Sequence, residues 1–332
     1  MENGKRWLVT GGTGSFGKAF LPIVLKKQDP QRVVIFSRDE MKQWEMQKTF
    51  GSDPRVRFFL GDVRDKERLY RALDGIDYVV HAAATKIVPT AEYNPFECIK
   101  TNVIGAMNVI DASIDQKVKK VVALSTDKAS APVNLYGASK LASDKLFVAA
   151  NAYSGMARTR FSIVRYGNVM GSRGSVIPLF IEMEKTKVLT ITDERMTRFM
   201  ISLEQGVDLV FEAFSSMNGG EIFVKKIPSM NIIELAKAIS ETVELKIVGI
   251  RPGEKVHEQM ISSEDAPHTY EFESYYKILP NIGEWASHDE FRKDGKLVPK
   301  DFTYSSDSNT EWMTVAELRS WIESNRANIG KI

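Results

Sequence analysis

The chain has 332 residues, with 45 Lys or Arg against 43 Asp or Glu, and this net charge of +2, without basic runs interleaved with aromatics, argues against a nucleic-acid partner. Its single cysteine, Cys98, excludes an internal disulfide and a thiolate metal cluster, and we expect no metal site. Neither a signal peptide nor an uncharged apolar run of about 18 residues is visible, so we expect a cytoplasmic protein with no membrane segment.

Short β-rich segments alternate with segments of helical periodicity in the first half of the chain. The predicted strands are residues 7–10, 33–36, 56–60, 78–81, 121–124 and 161–165. Such alternation predicts an α/β fold with a doubly wound parallel sheet of the Rossmann type, covered by helices on both faces.

This alternation stops after Tyr166. Beyond it we predict two strands and three helices, which are residues 188–191, 221–224, 203–216, 232–241 and 314–324. The last helix should pack Val315, Leu318 and Trp321 inward. We therefore expect a nucleotide-binding domain, residues 1–168 with about 203–226, and a smaller C-terminal α/β substrate lobe, residues 169–202 with 227–332.

A glycine-rich loop, TGGTGSFGK, follows the first predicted strand and precedes a helix. In this context glycines permit a tight turn and close approach of a pyrophosphate, which the amides at the helix N-terminus can bind. The loop therefore predicts dinucleotide binding. The expected contacts are Gly11, Thr13, Gly14, Ser15, Phe16 and Gly17.

The second predicted strand ends in FSRDE, residues 36–40. NAD-specific sites usually place an acid here, whereas Arg38 can bind a 2′-phosphate through two hydrogen bonds, and we expect Lys42 on the same helical face. This favours NADP, with Ser37 beside it. Asp39 keeps NAD open as an alternative. A further alternative is that Ser-Arg-Asp is only a solvated loop.

Two further segments end predicted strands. Asp62 in GDVRD could accept the adenine amino group, or could instead cap the helix that starts near Asp65. The small residues of HAAATK let a flat ring lie against the backbone, whereas we expect His81 to be a core side chain. The small residues are Ala82, Ala83 and Ala84.

The segment STDKASAPVNLYGASK carries the reactive groups. Tyr136 and Lys140 lie one helical turn apart if a helix starts near Asn134, and a nearby ammonium favours the phenolate, whose ordinary pKa is about 10. This Tyr-x-x-x-Lys pair, together with the glycine loop, resembles the extended short-chain dehydrogenases/reductases. Oxidation of a sugar hydroxyl would need only this pair and a hydroxyl such as Thr126 or Ser125.

Oxidation of a sugar hydroxyl does not require Asp127 or Lys128. Once carbon 4 of a hexose is a ketone, its carbon-5 proton is acidic, and a base and an acid can remove the carbon-6 hydroxyl as water. We assign Tyr136 to the carbon-4 hydroxyl, Lys128 as base at carbon 5 and Asp127 as acid. Burial, or nearby Lys140, must then lower the Lys128 pKa, and burial must raise that of Asp127. A capping Asp127, and a surface or ion-paired Lys128, are the alternatives.

The motifs TGGTGSFGK, FSRDE, STDKA, NLYGASK, RYGNVMGSRGSVIP, TRFMI and RPGEKVHE resemble the inverting UDP-N-acetylglucosamine 4,6-dehydratases over nearly the whole chain. The resemblance implies that Asp127, Lys128 and Tyr136 are catalytic, that NADP is regenerated each cycle, and that carbon 5 of the 4-keto-6-deoxy product is inverted. It also implies the first step of pseudaminic acid synthesis for flagellin glycosylation, and a homo-oligomer. Retaining relatives are commonly membrane-anchored and lack the tyrosine.

The chain departs from the family at AATKIVP, where relatives often have AALKHVP, so Thr85 and Ile87 replace Leu and His. Lys86, the expected contact to cofactor or sugar, remains. The other implied cofactor contacts are Val63, Asn102, Ser125, Tyr166, Gly167 and Asn168.

The UDP part of the substrate should meet the C-terminal lobe. Arg251 and Arg173 suit a diphosphate because guanidinium groups bond two oxygens at once. Arg195 and Arg198 either contact the ligand or pair with Asp193 and Glu194. The resemblance adds Asn168, Thr190, Ile191 and Glu254 to this pocket, whereas His257 should bond locally. The remaining expected contacts are Lys86, Ser172, Gly174, Val176, Ile177 and Met196.

Three alternatives stay open. A UDP-hexose 4-epimerase shares the redox chemistry but has no use for Asp127 and Lys128. A retaining UDP-sugar 4,6-dehydratase would differ at carbon 5. An NADP-binding redox regulator would not need an intact Tyr136 and Lys140.

Overall fold

The computed structural model describes residues 4–281, 292 and 294–330. In this part of the chain the strands are β1 (Arg6–Thr10), β2 (Arg32–Ser37), β3 (Val56–Leu60), β4 (Tyr78–His81), β5 (Lys120–Thr126), β6 (Arg160–Tyr166), β7 (Asn168–Val169), β8 (Val188–Ile191), β9 (Thr197–Ile201), β10 (Ile222–Lys225), β11 (Ser229–Asn231), β12 (Glu244–Ile247), β13 (Gln259–Ile261), β14 (Thr269–Glu271), β15 (Tyr275–Ile278), β16 (Lys296–Leu297) and β17 (Tyr304–Ser305). The helices are α1 (Ser15–Lys27), α2 (Glu40–Phe50), α3 (Lys66–Ala72), α4 (Val88–Tyr93), α5 (Pro95–Ile99), α6 (Gly105–Asp115), α7 (Leu135–Tyr153), α8 (Val176–Glu184), α9 (Leu203–Ser216), α10 (Ile232–Ile239) and α11 (Val315–Asn325).

The main sheet has the strand order β16-β14-β15-β10-β6-β5-β4-β1-β2-β3. Neighbouring strands run parallel from β3 through to β10, and β15, β14 and β16 continue the sheet in antiparallel pairing. The predicted Rossmann-type parallel sheet is therefore confirmed. Because parallel strands end at the same edge, the loops that follow β1, β2, β4, β5 and β6 meet there.

Side chains of β1 alternate between the two faces of this sheet. Trp7 packs with Phe20 and Phe214 on one face, whereas Leu8 belongs to the cluster with Phe147 and Phe161 on the other. Helices α1 and α9 contact each other on the first face, and α3, α6 and α7 form the second layer. Both faces are buried, as a doubly wound fold requires.

The smaller lobe has its own apolar core. Leu318 and Ile322 of α11 are buried in it, with Val315 and Trp321 packed at its edge, close to the sequence expectation. The division differs at residues 269–278 and 296–297, which the sequence placed in the lobe, because antiparallel β14–β16 extend the main sheet. In the described residues, no helix combines the length and apolarity that crossing a membrane requires.

Candidate active site

The glycine loop lies directly against the loop that follows β4. Gly11 adopts φ +64°, and a Cβ placed there would be 2.8 Å from the Ala83 Cα. Thr10 Oγ1 accepts a hydrogen bond from the Ala82 amide at 3.1 Å, which joins the same two loops. Helix α1 begins at Ser15, so its first amides lie at the end of the glycine loop, and we call the two loops together with these amides the dinucleotide cradle. Thr13 and Phe16 are buried.

Asp39 and Lys42 are bonded to each other. The Asp39 carboxylate caps α2 by accepting from the Lys42 amide at 3.0 Å, and it lies 2.5 Å from Lys42 Nζ. The hydrogen bond from the Lys42 side chain lowers the pKa of Asp39. Because α2 starts at Glu40, Arg38 precedes the helix, and the expectation that Arg38 and Lys42 share a helical face is wrong. Arg38, with its side chain 65% exposed, lies with Nη1 3.8 Å from Asp62 Oδ2, just after the end of β3.

Asp62 is held by Arg64. Its carboxylate accepts from the Arg64 amide at 3.0 Å and from Nη2 at 2.7 Å, and Asp65 is the residue that caps α3. Burial alone would raise the pKa of Asp62, but the Arg64 hydrogen bonds outweigh burial and lower it. The capping alternative for Asp62 is therefore excluded. Val63 beside it lies in the core.

Asn102 supports the 82–87 loop from a π-helical turn, Lys100–Ile104. Its Oδ1 accepts from the Thr85 amide at 2.8 Å, and its Nδ2 donates to Thr85 O and Ser139 Oγ, both at 2.9 Å. The predicted cofactor contact thus acts through the loop, because its amide is already bonded within the protein. Ser37 likewise bonds Gln43.

The segment after β5 folds as the sequence predicts. A 3-10 turn, Asp127–Ala129, which we call the catalytic turn, leads to α7, and Asn134 caps that helix by accepting from the Gly137 amide at 2.7 Å. Tyr136 and Lys140 are both buried on α7. The predicted helix start, and with it the one-turn spacing of this pair, is confirmed.

Lys128 Nζ sits between two buried carboxylates. It lies 3.2 Å from Asp127 Oδ1 and 3.1 Å from Glu258 Oε1. Thr126 Oγ1 donates to the same Asp127 oxygen at 2.9 Å. Asp127 Oδ2 and Glu258 Oε2 are buried without a hydrogen-bond partner among the described residues. No sequence pattern assigns a role to Glu258.

The pKa shift of Asp127 agrees with the sequence expectation, whereas that of Lys128 contradicts it. Burial raises the pKa of Asp127, as an acid requires. Burial alone would lower the pKa of Lys128, but the carboxylates of Asp127 and Glu258 outweigh burial and raise it. The expectation of a neutral Lys128 is therefore wrong for the protein without ligand, because the ion pairs stabilise the ammonium.

Tyr136 is a weak acid in this environment. Burial raises its pKa to about 12, and the cation that opposes burial is Lys128 rather than Lys140. Burial lowers the pKa of Lys140 itself, with Asp144 acting in the opposite direction. The expected effect of the Lys140 ammonium on the phenol is thus replaced by that of Lys128. Tyr166 is buried close enough to interact with Tyr136.

A buried ion pair that the sequence did not reveal joins α7 to β6. Asp144 accepts from Ser125 Oγ at 2.7 Å and lies 3.4 Å from Arg165 Nη2. Arg165 also donates to the Met260 carbonyl at 2.8 Å. Because the Ser125 hydroxyl donates to Asp144, Thr126 is the residue of this pair whose hydroxyl contacts Asp127.

The predicted anion-binding arginines differ in their partners. Arg251 is exposed and ion-paired with Glu254, and Arg195 pairs with Asp193, whose pKa its hydrogen bonds lower to about 2. For Arg195 the pairing alternative is confirmed. The Arg173 amide hydrogen-bonds Ser15 Oγ at 3.3 Å, which brings this loop to the cofactor end.

Arg198 is bonded mainly to backbone carbonyls. Its guanidinium donates to the backbone carbonyls of Thr197, Lys255 and Val256, and it lies 3.9 Å from Glu258. His257 bonds Thr197 locally, as expected.

Several other predicted substrate contacts are core residues. The side chains of Ile177, Ile191 and Met196 pack in the apolar core of the lobe, so among their atoms only the backbone could reach a ligand, and the contacts stay predictions. Ser172 is buried too. Lys86 is exposed to the cleft yet crowded by protein atoms, and this desolvation lowers its pKa. The half-buried or exposed positions are Ala82, Ala83, Ala84, Gly167, Asn168, Gly174, Val176, Thr190 and Glu254.

Comparisons with known proteins agree on one family. The profile of a family described as "Polysaccharide biosynthesis protein" matches residues 7–280. A Campylobacter jejuni subsp. jejuni serotype O:23/36 (strain 81-176) relative named UDP-N-acetylglucosamine 4,6-dehydratase (inverting) is 56% identical, over 96% of this chain and 97% of its own. A Rickettsia conorii relative named UDP-glucose 4-epimerase is 44% identical, over 95% and 94%. The X-ray structure of Pen from Bacillus thuringiensis has a TM-score of 0.89 and 38% identity, and the match covers 98% of each chain.

Proposed function

Because the chain belongs to the polysaccharide biosynthesis protein family, we propose that it is a lyase that removes water from UDP-N-acetylglucosamine with inversion at carbon 5. The resemblance read from the sequence motifs is confirmed by the same comparisons. The product would be UDP-2-acetamido-2,6-dideoxy-β-L-arabino-hex-4-ulose. We also propose that this is the first step of pseudaminic acid synthesis for flagellin glycosylation, in the cytoplasm.

The observation that carries this proposal is the buried contact of Asp127 and Lys128 beside Tyr136. Tyr136 would take the proton of the carbon-4 hydroxyl as its phenolate, an anion that the neighbouring Lys128 ammonium stabilises. With carbon 4 a ketone, Lys128 Nζ would take the carbon-5 proton, and the protonated Asp127 would give its proton to the departing carbon-6 oxygen. Lys140 would orient the ligand, and Thr126 would fix Asp127.

The dinucleotide cradle supports NADP as the cofactor. Gly11 packs directly against the Ala83 backbone, and the glycine loop ends at the start of α1, whose first amides would bind a pyrophosphate. Arg38 would bind the 2′-phosphate, with Lys42 and Arg173 adding positive charge nearby, since both interact with Asp39. Asp39 caps α2 and is thereby less available to a ribose hydroxyl. The chemistry that NADP supplies when bound is reversible hydride transfer.

The UDP group would lie between the lobe and the sheet edge. Arg251 and Arg173 would bind the diphosphate, and the Arg251–Glu254 pair would separate to do so, because a guanidinium can exchange one carboxylate for phosphate oxygens. Asn168 and Thr190 stay predicted contacts. This placement is supported by the family resemblance more than by the contacts within the chain.

We also propose that two copies of the chain associate through the helical segment formed by α5, the π-helical turn and α6. Phe96, Ile99, Ile104 and Met107 recur along it every three to five residues and are exposed, Phe96 at 79%. Such an apolar stripe on a soluble protein commonly marks an interface. Self-association fits because the charged residues beside the stripe, Glu97 and Lys100, are ion-paired with each other.

An epimerase is the second candidate, favoured by the relatives that bear that name. It would stop at the carbon-4 ketone, and Asp127 and Lys128 would have no role in the reaction. Incubation with UDP-N-acetylglucosamine in deuterated water, followed by NMR and mass spectrometry, separates the candidates. We expect loss of one water, deuterium at carbon 5 and the inverted configuration. A product of unchanged mass would indicate epimerisation, and a retained configuration would indicate the retaining enzyme.

A further inference from the structure

The proposed reaction does not yet account for the proton on Lys128. Lys128 must present a neutral amine to carbon 5, yet the ion pairs hold it as an ammonium. A partner has to take that proton before the amine can act. The groups that face Lys128 are Asp127 on its own turn, Tyr136 on α7, Arg198 on β9, and Lys255 and Glu258 on the segment before β13.

Of these groups, only Glu258 can take it. Asp127 must already carry a proton in order to give it to the carbon-6 oxygen, and Tyr136 takes the proton of the carbon-4 hydroxyl. Arg198 and Lys255 have no free basic site. Glu258 Oε1 lies 3.1 Å from Lys128 Nζ, which is hydrogen-bond distance, and Oε2 is buried without a partner in the described residues. The Glu258 backbone is fixed by two hydrogen bonds with Ser306, at 2.9 and 2.8 Å, so the carboxyl cannot withdraw easily.

We propose that Glu258 is the proton acceptor that converts Lys128 into the carbon-5 base, an inference that rests on the proposed dehydration. When a sugar excludes water, the ammonium–carboxylate pair becomes an amine and a carboxylic acid, with no change in net charge. Desolvation favours this exchange because a neutral pair loses less solvation on burial than an ion pair. Arg198 and Lys255 oppose it, which keeps the ion pair intact until the ligand arrives.

The protons balance over one cycle, because the proton that Tyr136 takes from the carbon-4 hydroxyl is offset by the proton that carbon 5 regains when carbon 6 is reduced. Lys128 gives a proton to Glu258 and then takes one from carbon 5, while Asp127 loses one to the departing water. Lys128 is then an ammonium, Glu258 a carboxylic acid and Asp127 a carboxylate. Because Lys128 Nζ lies 3.2 Å from Asp127 and 3.1 Å from Glu258, it can pass a proton to Asp127 and receive one from Glu258, which restores the starting set.

Glu258→Gln tests this role because the amide keeps the shape and an acceptor oxygen but cannot take the proton. We expect the rate of deuterium entry at carbon 5 to fall about 100-fold or more, while carbon-4 oxidation, followed by nicotinamide absorbance in a single turnover, persists. Glu258→Asp should recover part of the exchange. Glu264→Gln, a substitution on the exposed surface nearby, should change neither rate. Exchange that is unchanged, or faster with its pH limb moved to lower pH, would overturn the proposal.

A second measurement needs no substrate. Acetic anhydride acylates only neutral amines, so peptide mass spectrometry can compare Lys128 with the exposed reference Lys185. Losing one ion-pair partner in Glu258→Gln should speed Lys128 acylation about tenfold at constant pH. Equal rates would show that Glu258 and Lys128 do not interact, whatever reaction the protein catalyses. Failure of the dehydratase assignment would instead appear as wild-type protein that turns over no UDP-sugar.

Discussion

Gly137 lies against the backbone of Lys128. A Cβ at position 137 would be 2.2 Å from the Lys128 carbonyl oxygen, far inside van der Waals contact. Because Gly137 belongs to the first turn of α7, directly after Tyr136, this contact sets the distance between the tyrosine and the catalytic turn. The missing side chain is therefore a requirement of the site and not only of the helix.

Gly137→Ala should push the catalytic turn away from Tyr136. We expect kcat to fall by about 100-fold, the cost that a displacement of about 1 Å can have in an active site. The matched control is Gly206→Ala in α9, where the nearest atom to a new Cβ is 3.8 Å away. That variant should gain up to about 1 kcal/mol of helix stability and keep its activity. Steady-state kinetics and thermal unfolding of both variants decide the matter, and an active Gly137→Ala would contradict the tight contact.

Lys128→Arg separates charge from basicity. A guanidinium keeps both ion pairs with Asp127 and Glu258, but it cannot lose its proton at accessible pH. We expect a folded protein that oxidises carbon 4 and incorporates no deuterium at carbon 5, as read by NMR of the sugar. Lys185→Arg on the surface serves as the control. Normal exchange in Lys128→Arg would remove Lys128 from its role as base.

Arg38→Ala tests which dinucleotide is bound. Loss of a charge-assisted phosphate contact costs about 1.5–3 kcal/mol, so the Kd for NADP should rise roughly 10- to 100-fold while that for NAD stays nearly constant. Titration calorimetry measures both. Arg57→Ala, at an exposed position on β3, controls for loss of positive charge. An equal effect on NAD and NADP would argue against 2′-phosphate recognition by Arg38.

His81 makes stability depend on pH. Burial, with some effect of Lys140, lowers its pKa to about 3, while the unfolded chain retains the ordinary value near 6.5. Between these values the unfolded state binds the extra proton, so the free energy of unfolding should fall by up to about 1.4 kcal/mol per pH unit as pH drops below 6.5. Urea unfolding of wild type and His81→Asn at neutral and mildly acidic pH measures this. A slope that is the same in both proteins would exclude His81 as its source.

Phe96→Glu should disrupt the proposed pairing of two chains. A charge in the apolar stripe of Phe96, Ile99, Ile104 and Met107 would lose its water on association, which is costly without a partner. Sedimentation velocity should show a shift to monomer. Leu179→Glu, another exposed apolar position on α8 in the smaller lobe, should leave the assembly intact. If both variants sediment like wild type, the interface lies elsewhere.

The sequence predicted the features that depend on neighbours in the chain. The spacing of Tyr136 and Lys140 and the start of α7 follow from local rules, so they were recognisable before the fold was seen. Glu258 lies 130 positions beyond Lys128, and no local pattern in RPGEKVHE announces an ion pair with it. The neutral Lys128 was wrongly expected for the same reason, since its pKa depends on a carboxylate that only the fold supplies.

Residues that are conspicuous in a motif also differ in what their side chains do. Ile177 lies in the motif RYGNVMGSRGSVIP and the resemblance adds Ile191 to the pocket, yet both side chains fill the core of the lobe. Asp39 and Arg195 read as ligand contacts, yet each is bonded to a residue two or three positions away. A motif therefore indicates which residues lie near the ligand site. Only the fold shows which of their side-chain atoms are not already bonded within the protein.

The π-helical turn puts the two halves of a long helix out of phase. One extra residue between Ile99 and Gly105 rotates everything after it by about 100° relative to a regular helix. That rotation lets Asn102 reach Thr85 while Asn108, farther on, still bonds the Val63 and Arg64 carbonyls. A one-residue deletion here would break the hydrogen bonds of Asn102 and Asn108 together. We therefore expect insertions and deletions to be rare in this stretch among natural variants, even though much of its outer surface is exposed to water.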